Sequence, residues 1–366
     1  MKRMRRCAAT VAVGALALAG LAVGAGTADA RGFPAFVGPL HHVKTLASTV
    51  PGNGDVNPYG VAVVRRSTGD LFAGNVLVSN FNNSKNVQGT GTTIVEVTPS
   101  GHHWLFAQIN PNLRGCPGGV GLTTALSVLR SGWVIVGSLP TKGGKVSGAG
   151  CLIVLDSHGH VRETFAHHGI NGPWDMTAAD YGNVAFLFVT NVLNGTVAGG
   201  GKTVHGGTVL RLRVFVPRHG LPFVTSITMI GSGFGEKTDP NALVIGPTGV
   251  GLSPHGTLYV ADTLASRVAA IPGALFRFAT AGTGFTVSQG HHLNGELGLA
   301  VAPGGDILTV NGGDGNIVEV TPGGVQVAVK TITGGGAGAL FGLAVKPGHR
   351  AVYFVDDSNN TLKLLF

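Results

Sequence analysis

The sequence predicts an all-β chain folded as a six-bladed β-propeller of four-stranded antiparallel blades, and three observations predict it. A unit recurs in which an apolar run, a Pro/Gly turn, a second apolar run and an Asp or Asn follow in that order. Each copy continues into one or two further short apolar segments, which makes about four strands per unit. The last unit ends one strand short, and a matching segment lies near the N-terminus.

The clearest unit is GVGLSPHGTLYVADT, Gly249 to Thr263. LGLAVAPGGDILTVNGG begins at Leu297, FGLAVKPGHRAVYFVDD at Phe341, and YGVAVVRRSTGDLFAGNVLVSN at Tyr59. Two degenerate copies fill the middle, GVGLTTALSVLRSGWVIVGS from Gly119 and WDMTAADYGNVAFLFVTN from Trp174. The first strand of each unit is small and apolar throughout, as expected of an innermost strand crowded on both faces by its neighbours. Third strands such as TTIVEVTPSG, CLIVLDSHG and GNIVEVTPGG follow. His42 to Ala47 resembles the outer strand His160 to Ala166, so a strand at about 41–48 is expected to complete the last blade and remove the ring's open edge. A seven-bladed ring or two packed sandwiches are the alternatives. Six is favoured because Leu297 to Phe366 holds two compact units with no room for a third.

Residues 1–30 read as an export signal: Lys2, Arg3, Arg5 and Arg6 precede an apolar stretch that ends in Ala28-Asp29-Ala30, with cleavage expected after Ala30. The expected mature chain, 31–366, is a single propeller domain. The pair Arg5-Arg6 leaves twin-arginine and general export both open. No later apolar stretch reaches membrane-spanning length without interruption. The expected location is therefore secreted, periplasmic or in the cell envelope, and a monomer is expected.

Removing the signal takes four of the 25 basic and one of the 17 acidic residues, leaving 21 against 16. The mature chain is mildly basic, with Lys and Arg scattered singly and no interleaved aromatic series, so nucleic-acid binding has little support. A weak attraction to anionic envelope polymers is compatible with that charge.

Asn57-Pro58-Tyr59-Gly60-Val61-Ala62 and Gly256-Thr257-Leu258-Tyr259-Val260-Ala261-Asp262 resemble NHL repeats. The segments Ile94 to Pro99 and Ile317 to Pro322 are also similar to strands of the streptogramin-lyase and gluconolactonase propellers. The first resemblance implies a blade and no particular activity. The second implies a metal-assisted enzyme whose ligands have no assigned positions in this sequence.

Cys116 and Cys151 are the two cysteines left after export. Cys116 precedes the first strand of unit two and Cys151 opens its third, so antiparallel order sets both on one face and a disulfide is expected. Four adjacent histidine pairs (His41-His42, His102-His103, His167-His168, His291-His292) cannot chelate one ion from a strand, because neighbouring side chains point to opposite faces. His158-Gly159-His160 follows Asp156 in a turn. Asn80, Asn191, Asp262, Asn311, Asp356 and Asp357 end the second strands. They suit either a ring of oxygen ligands or backbone-capping turns, and their repetition favours the caps.

The residues just ahead of each first strand fall at the mouth of the central channel: Asn57 and Tyr59, Gly118, Trp174 and Asp175, Thr248, Glu296, and Phe341. They differ between units, as a site built on a repeat requires. Asp175 and Glu296 are candidates for an acid/base pair or for holding calcium or another divalent cation, with Tyr59 and Trp174 as aromatic walls. Packing of the aromatics between blades is the alternative. The connections Phe81 to Thr92, Leu139 to Gly150 and Val192 to Gly207 are long and share that face, like a binding rim. The sequence therefore points to a binding or scaffold propeller for an envelope protein, peptide or glycan, with a divalent-cation-assisted hydrolase or lyase as the other reading. It leaves open whether the chain is an enzyme.

Overall fold

A computed structural model describes residues 34–366 apart from 143, 144 and 147, so the expected signal lies outside the described residues. The apolar runs form six antiparallel sheets arranged as a ring, one per predicted unit. Their inner strands are Val56–Val63, Leu126–Val128, Pro173–Asp180, Pro247–Leu252, Glu296–Val301 and Leu340–Val345, and these neighbour one another in cyclic order. Blade 3 is elaborated: Val204–Phe215 and Phe223–Asp239 extend beyond the ring, and Leu243–Ile245 adds a short fifth strand.

A glycine in the repeat sets how tightly the inner strands meet. A Cβ on Gly249 would overlap the carbonyl of Leu297 in blade 5, one on Gly298 that of Phe341 in blade 6, and one on Gly342 that of Tyr59 in blade 1. Gly60 faces blade 2 in the same way, where a Cβ would come within 2.7 Å of Leu126 Cβ. Threonine hydroxyls stitch the same seams: Thr124 donates to the Trp174 carbonyl at 2.5 Å, Thr190 to that of Thr248 at 2.8 Å, and Thr248 to that of Glu296 at 3.1 Å.

The last blade closes as expected. Val43–Ser48 pairs antiparallel with Thr361–Leu365 from Val43 opposite Leu365 to Ser48 opposite Thr361. Upstream, Val37 and Leu40 are buried in the core between blades 5 and 6, and the Phe36 and Val37 N–H groups donate to the buried Glu319 carboxylate at 2.5 and 2.8 Å.

Cys116 and Cys151 form a disulfide with Cα atoms 5.2 Å apart. Such a bond indicates an oxidising compartment. The expected result of replacing both by Ser is a loss of about 3–4 kcal/mol in urea unfolding, because the bridge closes a 35-residue separation. Unchanged stability would remove the bond's structural role. Among the described residues, no helix is long and apolar enough to cross a membrane.

The residues ending the second strands fasten turns. The Asn80 amide donates to Thr49 O at 2.7 Å, Asn311 to His292 O at 2.8 Å, and Asn191 Oδ1 accepts from the Asn171 N–H at 3.2 Å. Asp262 accepts two hydrogen bonds from Arg267, and Asp356 accepts from Lys363 and Thr333, each at 2.6 Å. Each side chain but Asp262 holds the loop by which the chain enters its blade. They are not gathered about the axis.

Candidate functional site

Inner strands begin on the face that carries the long connections, here the loop face, and end on the face of the tight hairpins, the turn face. Between the two runs a central channel of about 670 Å³. Of the eight residues expected at the channel mouth, only Tyr59 and Asp175 line it. Asn57 sits at its rim with positive φ, its N–H donating to Asn360 Oδ1 at 2.8 Å.

The loop-face end is filled by the protein's own side chains. Trp174 Nε1 donates to Tyr59 Oη at 2.9 Å with the rings edge to face, and Phe341 packs 5.2 Å from the Tyr59 ring centre. Over them the long connections bring Phe81, Leu139, Val192 and Val244 into one buried cluster, with Val146, Leu193 and Leu243 at its margin. The first connection also bonds the second and the turn that follows Phe223–Asp239: Thr141 Oγ1 donates to Gly89 O at 2.5 Å and Gln88 Nε2 to Asn241 O at 2.5 Å. The rim expected from the sequence is thus a cap, and Tyr59 and Trp174 are packed within it rather than offered as walls.

Asp175 occupies the position held by Gly60, Gly249, Gly298 and Gly342 in four other blades and by Ala125 in blade 2, as the strand registers place it. Blade 3 alone carries a functional group there. Burial pushes the Asp175 carboxyl up to about 8, although the N–H groups of Met176 and Val250 counter part of that rise. Burial, and next the Asp175 charge, also raises the Tyr59 hydroxyl well above its ordinary range.

Glu296 does not meet Asp175. Blade 4 separates them, and the Glu296 carboxyl turns between blades toward Asp262 and Arg267. It is fully buried, and neither oxygen makes a hydrogen bond of good geometry, the N–H groups of Glu296 and Arg267 being its nearest donors. Burial lifts it to about 8. The expected acid/base pair is therefore not assembled.

A divalent cation at the axis needs several oxygen ligands in one place. Among the described residues, Asp175 is the only acidic side chain lining the channel, and no group of three or more His, Cys, Asp or Glu is placed to hold a metal. The residues present do not fit such an ion. The paired histidines are all exposed, and His158 and His160 make surface contacts with Asp70 at 3.0 Å and Asp156 at 3.6 Å.

No protein-family model matches the chain, and no curated protein matches it in sequence. Solved structures do match. A gluconolactonase from Xanthomonas campestris is 13% identical with a TM-score of 0.56, the match covering 88% of each chain. A streptogramin B lyase is 14% identical over 89% of this chain and 97% of its own, with a TM-score of 0.51. The calcium-binding protein regucalcin from Agrobacterium tumefaciens is 12% identical over 88% and 93%, with a TM-score of 0.53. What they share with this chain is the fold. At such identity the ligands of those proteins do not transfer.

The cap holds what sequence order concealed. Lys85, Lys142, Lys145 and Lys202 come from three separate connections and are exposed, and Lys237 lies half-buried on the strand Phe223–Asp239. They are five of the chain's ten lysines. Of the cap's acidic groups, Glu236 is buried and pushed up to about 7 by burial, and Asp239 pairs with Lys237 at 4.0 Å, which leaves the four exposed lysines without an acidic partner among the described residues.

Proposed function

We propose that the chain is an exported binding propeller whose cap over blades 1 to 3 holds an anionic polymer of the cell envelope, a glycan bearing carboxylate, phosphate or sulfate groups. The four exposed lysines of the three long connections, Lys85, Lys142, Lys145 and Lys202, carry this reading. Among the described residues, the exposed large apolar side chains of the cap are Val87 and Val197. That is too little to form the desolvated centre of a stable protein interface, whereas a polyanion needs only charge and hydrogen bonds.

Retention on immobilised heparin and polygalacturonate tests it. The wild-type chain should bind both with an affinity that falls as salt rises. Joint replacement of Lys85, Lys142, Lys145 and Lys202 by Glu should weaken binding at least tenfold at low salt and leave the thermal midpoint unchanged, since all four are exposed. Equal retention of the two proteins would refute the proposal.

A cation-assisted hydrolase or lyase is the reading favoured by the names of the structural neighbours. The separation of Asp175 from Glu296 and the lone carboxyl in the channel speak against it here.

A further inference from the structure

The channel sealed at the loop face stays open at the turn face, where its lining includes Arg65, Tyr181, Pro254, Leu275, Pro303 and Lys346. These residues are not distributed evenly around the ring. Arg65 ends the inner hairpin of blade 1 and Lys346 that of blade 6, which are neighbours. Tyr181 belongs to blade 3 and Leu275 to blade 4, which lie directly across a six-membered ring from blades 6 and 1. One side of the opening is thus cationic and the opposite side aromatic and apolar, with Tyr181 62% exposed.

Below the opening the walls are edges of inner strands. Gly60, Ala62, Ala178, Gly251, Ala300 and Ala344 offer little side chain, so N–H and C=O groups on the unpaired strand edges reach the channel between apolar side chains such as Met176, Leu299 and Val345. From the level of Asp175 to the opening is three to four residues, or about 10–13 Å at the strand rise. A tube of mixed lining, with main-chain groups along its walls and a cation pair facing an aromatic ring at its opening, suits a molecule of matching polarity. Hydroxyl groups satisfy main-chain edges, a sugar ring lies against a tyrosine, and a carboxylate pairs with Arg and Lys.

We propose that this opening and the tube beneath it form a binding site for the end of a short acidic oligosaccharide, with its carboxylate held by Arg65 and Lys346 and a sugar ring against Tyr181. The site is on the face opposite the lysine cap and does not depend on it.

Digalacturonate is the probe, with cellobiose as its neutral counterpart, both titrated by calorimetry into the folded chain at low salt. Digalacturonate should bind once per chain and at least tenfold more tightly than cellobiose. Arg65→Glu with Lys346→Glu should weaken it at least tenfold, and Tyr181→Ala at least fivefold. The four cap replacements should leave it unchanged, so this result and the heparin result fail independently. Absence of saturable binding, equal affinity for cellobiose, or loss of binding through the cap variants alone would overturn the proposal. Arg65 and Tyr181 are exposed, and the thermal midpoint of each variant shows whether its ring is intact.

Discussion

Deletion of residues 34–48 should leave a chain that no longer unfolds cooperatively. The strand Val43–Ser48 supplies the outer edge of blade 6, where five of its residues pair with Thr361–Leu365. At about 1 kcal/mol per net hydrogen bond this pairing is worth roughly 4–5 kcal/mol. Burial of Val37 and Leu40 contributes about 2 kcal/mol each. Together these approach the whole net stability of an ordinary domain, about 5–15 kcal/mol. The same deletion strips the Glu319 carboxylate of the Phe36 and Val37 N–H groups, leaving a buried charge without donors. It also exposes the Thr361–Leu365 edge to pairing with other chains. Circular dichroism melts and size-exclusion chromatography should find an aggregated or non-cooperative product, partly rescued by a peptide of residues 34–50 supplied in trans. A deleted chain that melts cooperatively at the wild-type temperature would show that the ring does not depend on this closure.

That closure was legible because a strand's pattern is local. His42 to Ala47 carries the alternation of an outer strand, and the last unit stops at Phe366 with three strands. The six blades and the disulfide were readable for the same reason, since each follows from the order of apolar runs and turns within one unit. The cap was not. Its exposed lysines lie on connections of three successive blades, and their convergence depends on how Phe81, Leu139, Val192 and Val244 bury over Tyr59. Apolar residues within nominally polar loops were the available signal. Asp175 was visible as a candidate, but its meaning comes from alignment of the inner strands. Placing Trp174-Asp175-Met176 beside Tyr59-Gly60-Val61, Thr248-Gly249-Val250 and Phe341-Gly342-Leu343 shows a carboxylate where the others have none. Its pairing with Glu296 was misread because proximity along equivalent units does not reveal which seam a side chain enters. Glu296 aligns with Pro173 and Pro247 rather than with Asp175, so it falls on the blade interior instead of the axis.

Glu296 should make the protein less stable in alkali than in mild acid. In the folded chain burial lifts its carboxyl from 4.5 to about 8, while in the unfolded chain it titrates near its ordinary value. Between those two values the folded state holds a proton that the unfolded state has released. Unfolding therefore releases a proton, and raising the pH favours it. The stability attached to this group is fully present below about pH 4.5, declines across the window up to about 8, and is flat above it. At about 1.4 kcal/mol per pH unit the full window amounts to roughly 4–5 kcal/mol, an upper value because local relaxation and water penetration soften it. Asp175, also lifted to about 8 by burial, and Glu236 and Asp357, each lifted to about 7 by burial, pull in the same direction. The salt-bridged Asp356, held below the ordinary carboxylate range despite burial by its bonds to Lys363, Ser358 and Thr333, acts oppositely only below about pH 4. Glu296→Gln keeps the shape and removes the titration. Urea unfolding at pH 5.5 and pH 8.5 should find the wild-type chain weaker at the higher pH by at least about 2 kcal/mol, and the variant's difference smaller than the wild type's by about 1–3 kcal/mol, the share of Glu296. At pH 8.5 the variant should be the more stable of the two, because the wild-type chain must either bury an unpaired charge or hold a proton against the solvent. Equal pH dependence in both proteins would mean that the Glu296 carboxyl ionises freely where it lies.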